Sequence, residues 1–76
     1  MLDFRSLVEG ALQALERDRP ADAEKAIRSA LAMSPRDDQL LHLLGVSLIR
    51  QQREEEAITP LQKAISLNRQ IGRAHV

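Results

Sequence analysis

The stretch LLHLLGVSLIRQQREEEAITPLQKAISL, residues 40–67, decides the fold because apolar side chains recur through it three or four positions apart. That spacing places them on one side of a helix, and strand-like alternation is absent from the sequence. The polar run QQREEE at residues 51–56 separates two such patterns. The first pattern comprises Leu40, Leu41, Leu44, Leu48 and Ile49, and the second comprises Ala57, Ile58, Leu61, Ala64, Ile65 and Leu67. We therefore predict two helices joined by a short polar turn.

An equivalent pattern lies 34 residues earlier, where residues 6–33 read SLVEGALQALERDRPADAEKAIRSALAM. At that offset the apolar positions coincide: Leu7 with Leu41, Ala11 with Gly45, Leu15 with Ile49, Ala23 with Ala57, Ile27 with Leu61, Ala30 with Ala64 and Met33 with Leu67. The polar break recurs too, with Arg19 at the position of Arg53. Small residues at fixed positions allow helices to approach closely. The simplest account is two copies of one antiparallel helix pair, which makes the chain all-α with four helices.

Prolines and acidic residues mark where these helices begin and end. Pro20 suits the opening turn of the second helix, because its missing N–H is not needed there. Pro35 disfavours helix at the preceding residue, and Asp37 or Asp38 can cap the third helix. Pro60 falls inside the fourth helix, where a proline costs about 3 kcal/mol and bends the axis. Because the apolar positions keep their register on both sides of it, we predict one bent helix there and not two.

The two copies resemble the tetratricopeptide repeat, a 34-residue helix-turn-helix unit, with one repeat at residues 4–37 and a second at residues 38–70. The second copy matches the family's signature at Leu41, Leu44, Gly45, Leu48, Ala57, Leu61 and Ala64, and departs only at Arg69, where a proline is usual. The first copy matches at Leu7, Ala11, Ala23, Ile27, Ala30 and Pro35, and departs at Gly10 and Ala14. The resemblance implies a short right-handed solenoid fragment that binds proteins or peptides.

The resemblance also implies which side chains face a ligand, because the first helix of each repeat lines a concave surface in this family. The residues at those positions are Arg5, Val8, Leu12, Leu15, Glu16, Gln39, His42, Val46, Ile49 and Arg50. We expect an extended or helical peptide held there by apolar contacts, with Arg5 or Arg50 pairing with an acidic side chain.

Two details limit this expectation. Members of the family that clamp a peptide's terminal carboxylate carry Lys and Asn at inner positions that are Val8, Leu12, His42 and Val46 here. A carboxylate clamp is therefore not expected. An alternative also stays open for Leu12, Leu15, Val46 and Ile49, which can instead pack one helix against another.

Composition narrows the range of partners. The chain has 76 residues with eleven acidic and eleven basic side chains, so we expect one small domain without net charge. The basic residues are spread along the chain, and Phe4 is the only aromatic residue on which a base could stack. We therefore expect no nucleic acid partner. The absence of a long apolar run and of cysteine leads us to expect a cytoplasmic protein without membrane contact.

A search for catalytic and metal-binding patterns finds none. His42 and His75 have no cysteine or ligand-spaced partner, which argues against a metal site. The serines lie in no nucleophile context, and no glycine-rich loop could hold a phosphate. Glu54, Glu55 and Glu56 are explained by the preference for acidic residues at a helix N-terminus. We therefore expect no enzyme activity, no metal and no cofactor for this chain.

The end of the sequence breaks the pattern. Repeats of this kind bury their apolar faces only against neighbours, so an array normally needs at least three repeats and a polar capping helix. Two are present, and the pattern stops after Gln70. The final IGRAHV, residues 71–76, is also the translation of ATC GGA AGA GCA CAC GTC, the start of a widely used sequencing adapter. We expect these residues to be adapter read-through and not natural protein sequence.

On this interpretation the chain is an N-terminal fragment of a longer, bacterial-type protein. The leading hypothesis is an interaction module that binds a protein or peptide. A second hypothesis follows from the similarity of residues 40–67 to repeats found ahead of glycosyltransferase or sulfotransferase domains in bacterial enzymes. A third is self-association through the C-terminal helix, because no later helix in the pattern covers Ile58, Leu61 and Ile65.

Overall fold

The computed structural model describes residues 3–73, with side chains described as far as Arg69, and folds them into four α-helices. In chain order these are α1 at Phe4–Glu16, α2 at Pro20–Met33, α3 at Asp38–Arg50 and α4 at Glu54–Arg73. No strand occurs between residues 3 and 73. The prediction of an all-α chain with four helices is therefore confirmed.

Aspartate side chains fix the starts of α1 and α3. Asp3 Oδ1 accepts a hydrogen bond from the backbone N–H of Ser6 at 2.8 Å. Asp37 Oδ1 accepts one from the backbone N–H of Leu40 at 3.1 Å. Each bond satisfies an N–H that has no partner in the first turn of a helix. The sequence left Asp37 and Asp38 as alternatives, and Asp37 is the cap.

The turns after α1 and α3 share one conformation. In the first, Asp18 has a φ of 58°, and the N–H of residue 19 donates to the carbonyl oxygen of Ala14 at 2.7 Å. In the second, Gln52 has a φ of 62°, and the N–H of residue 53 donates to the carbonyl oxygen of Leu48 at 2.9 Å. This combination is the Schellman ending of a helix, in which glycine usually takes the left-handed position. Both turns therefore hold an L side chain in a conformation that disfavours it.

Helices and turns recur at a fixed offset of 34 residues. Phe4 and Asp38 begin α1 and α3, and Pro20 and Glu54 begin α2 and α4. The two capping aspartates and the two left-handed turn residues keep the same separation. The sequence repeat is therefore also a repeat of backbone structure, in the form of two helix-turn-helix units.

The helices pack in chain order, α1 against α2, α2 against α3 and α3 against α4. Alanines with no exposed surface lie among the contacts, and they let the helices approach closely. The core cluster draws on all four helices and consists of Ala11, Leu15, Ala23, Ile27, Leu44, Leu48 and Ala57. Full burial of a side chain the size of Ile27 or Leu48 stabilises the fold by about 1.5–3 kcal/mol. This one core joins the two units.

Two residues with special backbone properties, Gly45 in α3 and Pro60 in α4, lie where these helices pack. A Cβ atom at Gly45 would overlap the side chain of Leu61, so only glycine permits this approach. Pro60 is buried, and α4 continues through it without a break. The prediction of one helix at this position is confirmed, and its bend stays a prediction.

Two further sequence expectations concern the end of the chain and membrane contact. Helix α4 runs past Gln70 and includes residues 71–73, whereas residues 74–76, with His75, lie outside the described residues. The interpretation of residues 71–76 as read-through stays a prediction. None of the helices between residues 3 and 73 has both the length and the apolar character that crossing a membrane requires.

Candidate functional site

An open groove of about 830 Å³ lies between α1, α3 and α4. Residues from the middle of α1, the first half of α3 and the second half of α4 line it. They are Val8, Leu12, Asp38, Gln39, His42, Leu43, Ala64, Ile65, Asn68 and Arg69. Aliphatic side chains combined with a few polar groups are the usual lining of a binding cleft. This groove is the strongest candidate site in the part of the chain that the structure describes.

The groove brings together four of the residues predicted to face a ligand. Val8 and Leu12 come from α1, and Gln39 and His42 come from α3. The two pairs belong to different repeat units, so the cleft spans the junction between them. Leu12 is not buried between helices, because its side chain is 45% exposed and lines the groove.

The other apolar members of the predicted face lie elsewhere. Leu15 is only 9% exposed and belongs to the core, so it packs helix against helix. Val46 is half-buried, and Ile49 is 44% exposed outside the groove lining. Leu15 therefore takes the packing role that the sequence left open as an alternative.

The charged members of the predicted face lie outside the groove lining. Arg5 is exposed and its Nε atom lies 4.0 Å from a carboxylate oxygen of Glu9, the next turn of α1. Glu16 is exposed. Arg50 donates from Nη1 to the backbone carbonyl oxygen of Leu15 at 2.9 Å, which satisfies a carbonyl at the end of α1. Arg50 thereby joins the C-terminal ends of α1 and α3, and the groove lies beside the middle of α1 and the first half of α3.

Helix α4 supplies a wall that the sequence argument did not assign to the site. Ile65 adds exposed apolar surface, and Asn68 and Arg69 add polar groups at the rim. Asn68 Nδ2 lies 3.5 Å from Asp38 Oδ2, a long hydrogen bond across the end of the groove. Only first helices were expected to face a ligand, so α4 was outside that expectation. The signal available in the sequence was Ile65, an apolar residue on the flank of α4.

A polar cluster around Glu24, away from the groove lining, connects the two units. Glu24 on α2 accepts hydrogen bonds from Gln51 Nε2 at 3.0 Å, from Arg53 Nη1 at 2.7 Å and from Arg28 Nε at 2.8 Å. Arg53 also pairs with Glu56 at 2.7 Å. The hydrogen bond from Gln51 is the largest influence that lowers the pKa of Glu24, followed by those from Arg28 and Arg53. Each of these side chains is bonded to another residue of the fold, so we interpret this cluster as structural.

The described residues show no cluster of metal ligands. Among residues 3–69, no three His, Asp or Glu side chains come together in a way that would hold a metal ion. Ser47 is buried and its hydroxyl donates to the carbonyl oxygen of Leu44 at 2.8 Å, an ordinary bond within a helix. What the groove offers chemically is apolar contact, hydrogen bonding and the charged side chains of Asp38 and Arg69.

Comparisons with known protein families, with curated proteins and with solved structures find nothing that matches this chain.

Proposed function

We propose that this chain consists of two tetratricopeptide-like repeats and acts as a module that binds a protein or a peptide. The observation that carries the proposal is the offset of 34 residues shared by helix starts, caps and left-handed turn residues. A period of this length in a helix-turn-helix unit is typical of that repeat. The second unit then stacks on the first as consecutive units of a right-handed solenoid do. The absence of cysteine supports a cytoplasmic location.

The groove is the proposed binding surface. Leu12 and Ile65 supply exposed apolar area on its opposite sides, from α1 and α4. Its polar members, among them His42 and Arg69, can set the orientation of a bound chain. We propose that a peptide places aliphatic side chains between α1 and α4, in an extended or helical conformation.

Arg69 is the proposed partner for an acidic residue of that peptide. Sequence reasoning assigned this role to Arg5 or Arg50. Arg50 is bound to the Leu15 carbonyl, and Arg5 lies beside Glu9, whereas Arg69 is exposed at the groove itself. An exposed pair of this kind adds specificity and on-rate more than affinity.

A peptide-display selection against the wild-type chain tests the proposal, because such a selection identifies ligands from a random library. Selected peptides are then titrated against Leu12→Ser and Met33→Ser by fluorescence anisotropy. Leu12 and Met33 are 45% and 59% exposed, but Met33 lies on α2 outside the groove. We expect Leu12→Ser to raise the dissociation constant about tenfold, because an apolar contact is lost, and Met33→Ser to leave it unchanged. Failure to select any peptide, or equal effects of the two changes, would contradict the proposal.

A further inference from the structure

One flank of α4 carries a row of five side chains, of which four are exposed and the central one is half-buried. The row, which we name the α4 stripe, consists of Glu54, Ile58, Leu61, Ile65 and Arg69. Their spacing of three or four residues keeps them on one side of the helix over a length of about 22 Å. Ile58 is 53% exposed and Ile65 is 56% exposed. Exposed apolar side chains along one side of a helix form a candidate surface for a partner.

The packing of α4 within the chain leaves the stripe available except at Leu61, which is half-buried and packs against Gly45 of α3 and the core. Helix α4 packs mainly against α3, and the residues it buries are Ala57, Pro60 and Ala64, on a neighbouring side of the helix. The charged ends of the stripe are also unused. Neither Glu54 nor Arg69 forms an ion pair with any side chain described between residues 3 and 69.

The order of residues along the stripe is self-complementary. From one end to the other it reads acidic, Ile, Leu, Ile, basic, with Leu61 near the centre. When a second copy of the stripe lies antiparallel to the first, Ile58 of each copy faces Ile65 of the other. The same two-fold arrangement places Glu54 of each copy opposite Arg69 of the other. Apolar contacts at the centre and opposite charges at both ends are thus formed at once, in one register.

We propose that this chain forms an antiparallel, two-fold symmetric homodimer through the α4 stripe. The occupant is a second copy because one register satisfies the apolar and the charged members of the stripe together. A single helix face of this length lies at the small end of protein interfaces, so the dimer is weak, with a dissociation constant of about 100 μM. Ile65 and Arg69 also line the groove, so the second copy and a groove ligand compete for these two side chains.

Charge reversal tests both the partner and the register, with sedimentation velocity of the full chain over a range of concentrations as the measurement. Glu54→Arg places two arginines opposite each other at both ends, and Arg69→Glu places two glutamates there. We expect each variant alone to dimerise about three- to tenfold more weakly than wild type, because two ion pairs become repulsive. Mixed in equal amounts, the two variants form a heterodimer with both ion pairs restored, and dimerisation returns to the wild-type level.

The apolar contact has its own matched pair of variants. Ile65→Glu buries a charge at the dimer contact and is expected to abolish dimerisation. Met33→Glu changes a side chain of similar exposure on α2, so dimerisation is expected to stay unchanged. Circular dichroism of each variant establishes that it is folded, and recovery in the mixture excludes misfolding as the cause of a loss. A wild-type chain that stays monomeric at millimolar concentration would overturn the proposal, as would a mixture that fails to recover.

Discussion

Arg53 Nη1 lies 2.7 Å from Glu24 Oε1, and this ion pair connects α2 of the first unit to the turn that begins α4 of the second. Gln51, in the same turn, donates to Glu24 Oε1 at 3.0 Å and to the backbone carbonyl oxygen of Pro20 at 3.5 Å. The junction between the units is therefore held by polar contacts as well as by the shared core. Glu24 is the residue on which most of these contacts converge.

Replacing Glu24 by alanine is expected to lower the free energy of unfolding by about 1–3 kcal/mol, because three donors lose their shared acceptor. Its side chain is 13% exposed, so water replaces those bonds incompletely. Glu16→Ala is the matched control: Glu16 is exposed on α1, and its removal is expected to change stability by less than about 0.5 kcal/mol. Urea denaturation followed by circular dichroism measures both. Equal stability of the two variants would contradict a structural role for Glu24.

Stability is expected to fall in acid because of the same cluster. The hydrogen bond from Gln51, and then those from Arg28 and Arg53, hold the pKa of Glu24 below its ordinary value of 4.5. A carboxylate whose pKa is lower in the folded state stabilises the fold above the unfolded pKa. That contribution is lost as the pH falls through the folded pKa. The unfolding free energy should therefore be flat near neutral pH and decrease below about pH 4.5.

Glu24→Gln separates this effect from general acid denaturation. The amide stays uncharged at every pH, so the decrease between neutral pH and about pH 3 should be smaller than in wild type. Asp3 and Glu56 keep part of the dependence, because hydrogen bonds from Ser6 and Arg53 respectively lower their pKa values as well. An identical pH profile in the variant would show that Glu24 does not contribute.

The local features of this fold could be read from the sequence, because they depend on residues close together in the chain. The helix start at Pro20 and the cap at Asp37 follow from propensity and turn chemistry. The fourfold helical pattern follows from apolar spacing. Contacts between distant residues were harder to anticipate. The spacing of Glu24 and Arg53 in the sequence does not predict an ion pair, because this contact depends on how the second unit packs against the first.

Burial at equivalent positions of the two units was also difficult to predict from the sequence. Leu15 and Ile49 occupy matching positions in the two units, yet Leu15 is 9% exposed and Ile49 is 44% exposed. Leu15 packs in the core with residues of α3, whereas no helix of the described chain occupies the corresponding place beside Ile49. A pattern that treats both as equivalent cannot distinguish core from surface. The groove wall from α4 was missed for a related reason, since its contribution depends on the order in which helices pack.

Gly45→Ala is expected to destabilise the chain by about 1–2 kcal/mol, because the added methyl group overlaps Leu61 and this outweighs the helix propensity gained. Gly10→Ala is the matched control on α1. A Cβ atom there meets no atom within 4 Å, so the same substitution should stabilise by about 0.5–1 kcal/mol. Urea denaturation of both variants tests the close approach of α3 and α4. Stabilisation by both substitutions would show that Leu61 moves aside without cost.

Gln52→Gly is expected to raise the free energy of unfolding by about 0.5–1 kcal/mol. Gln52 has a φ of 62° and an exposed side chain, so glycine relieves the strain of the left-handed conformation and removes no buried contact. Relief of strain outweighs the extra freedom that glycine gives the unfolded chain. Gln52→Ala is the control, since it shortens the side chain and keeps the Cβ atom. A glycine variant no more stable than the alanine variant would contradict the strained turn, and a clear difference would support the Schellman ending as the junction of α3 and α4.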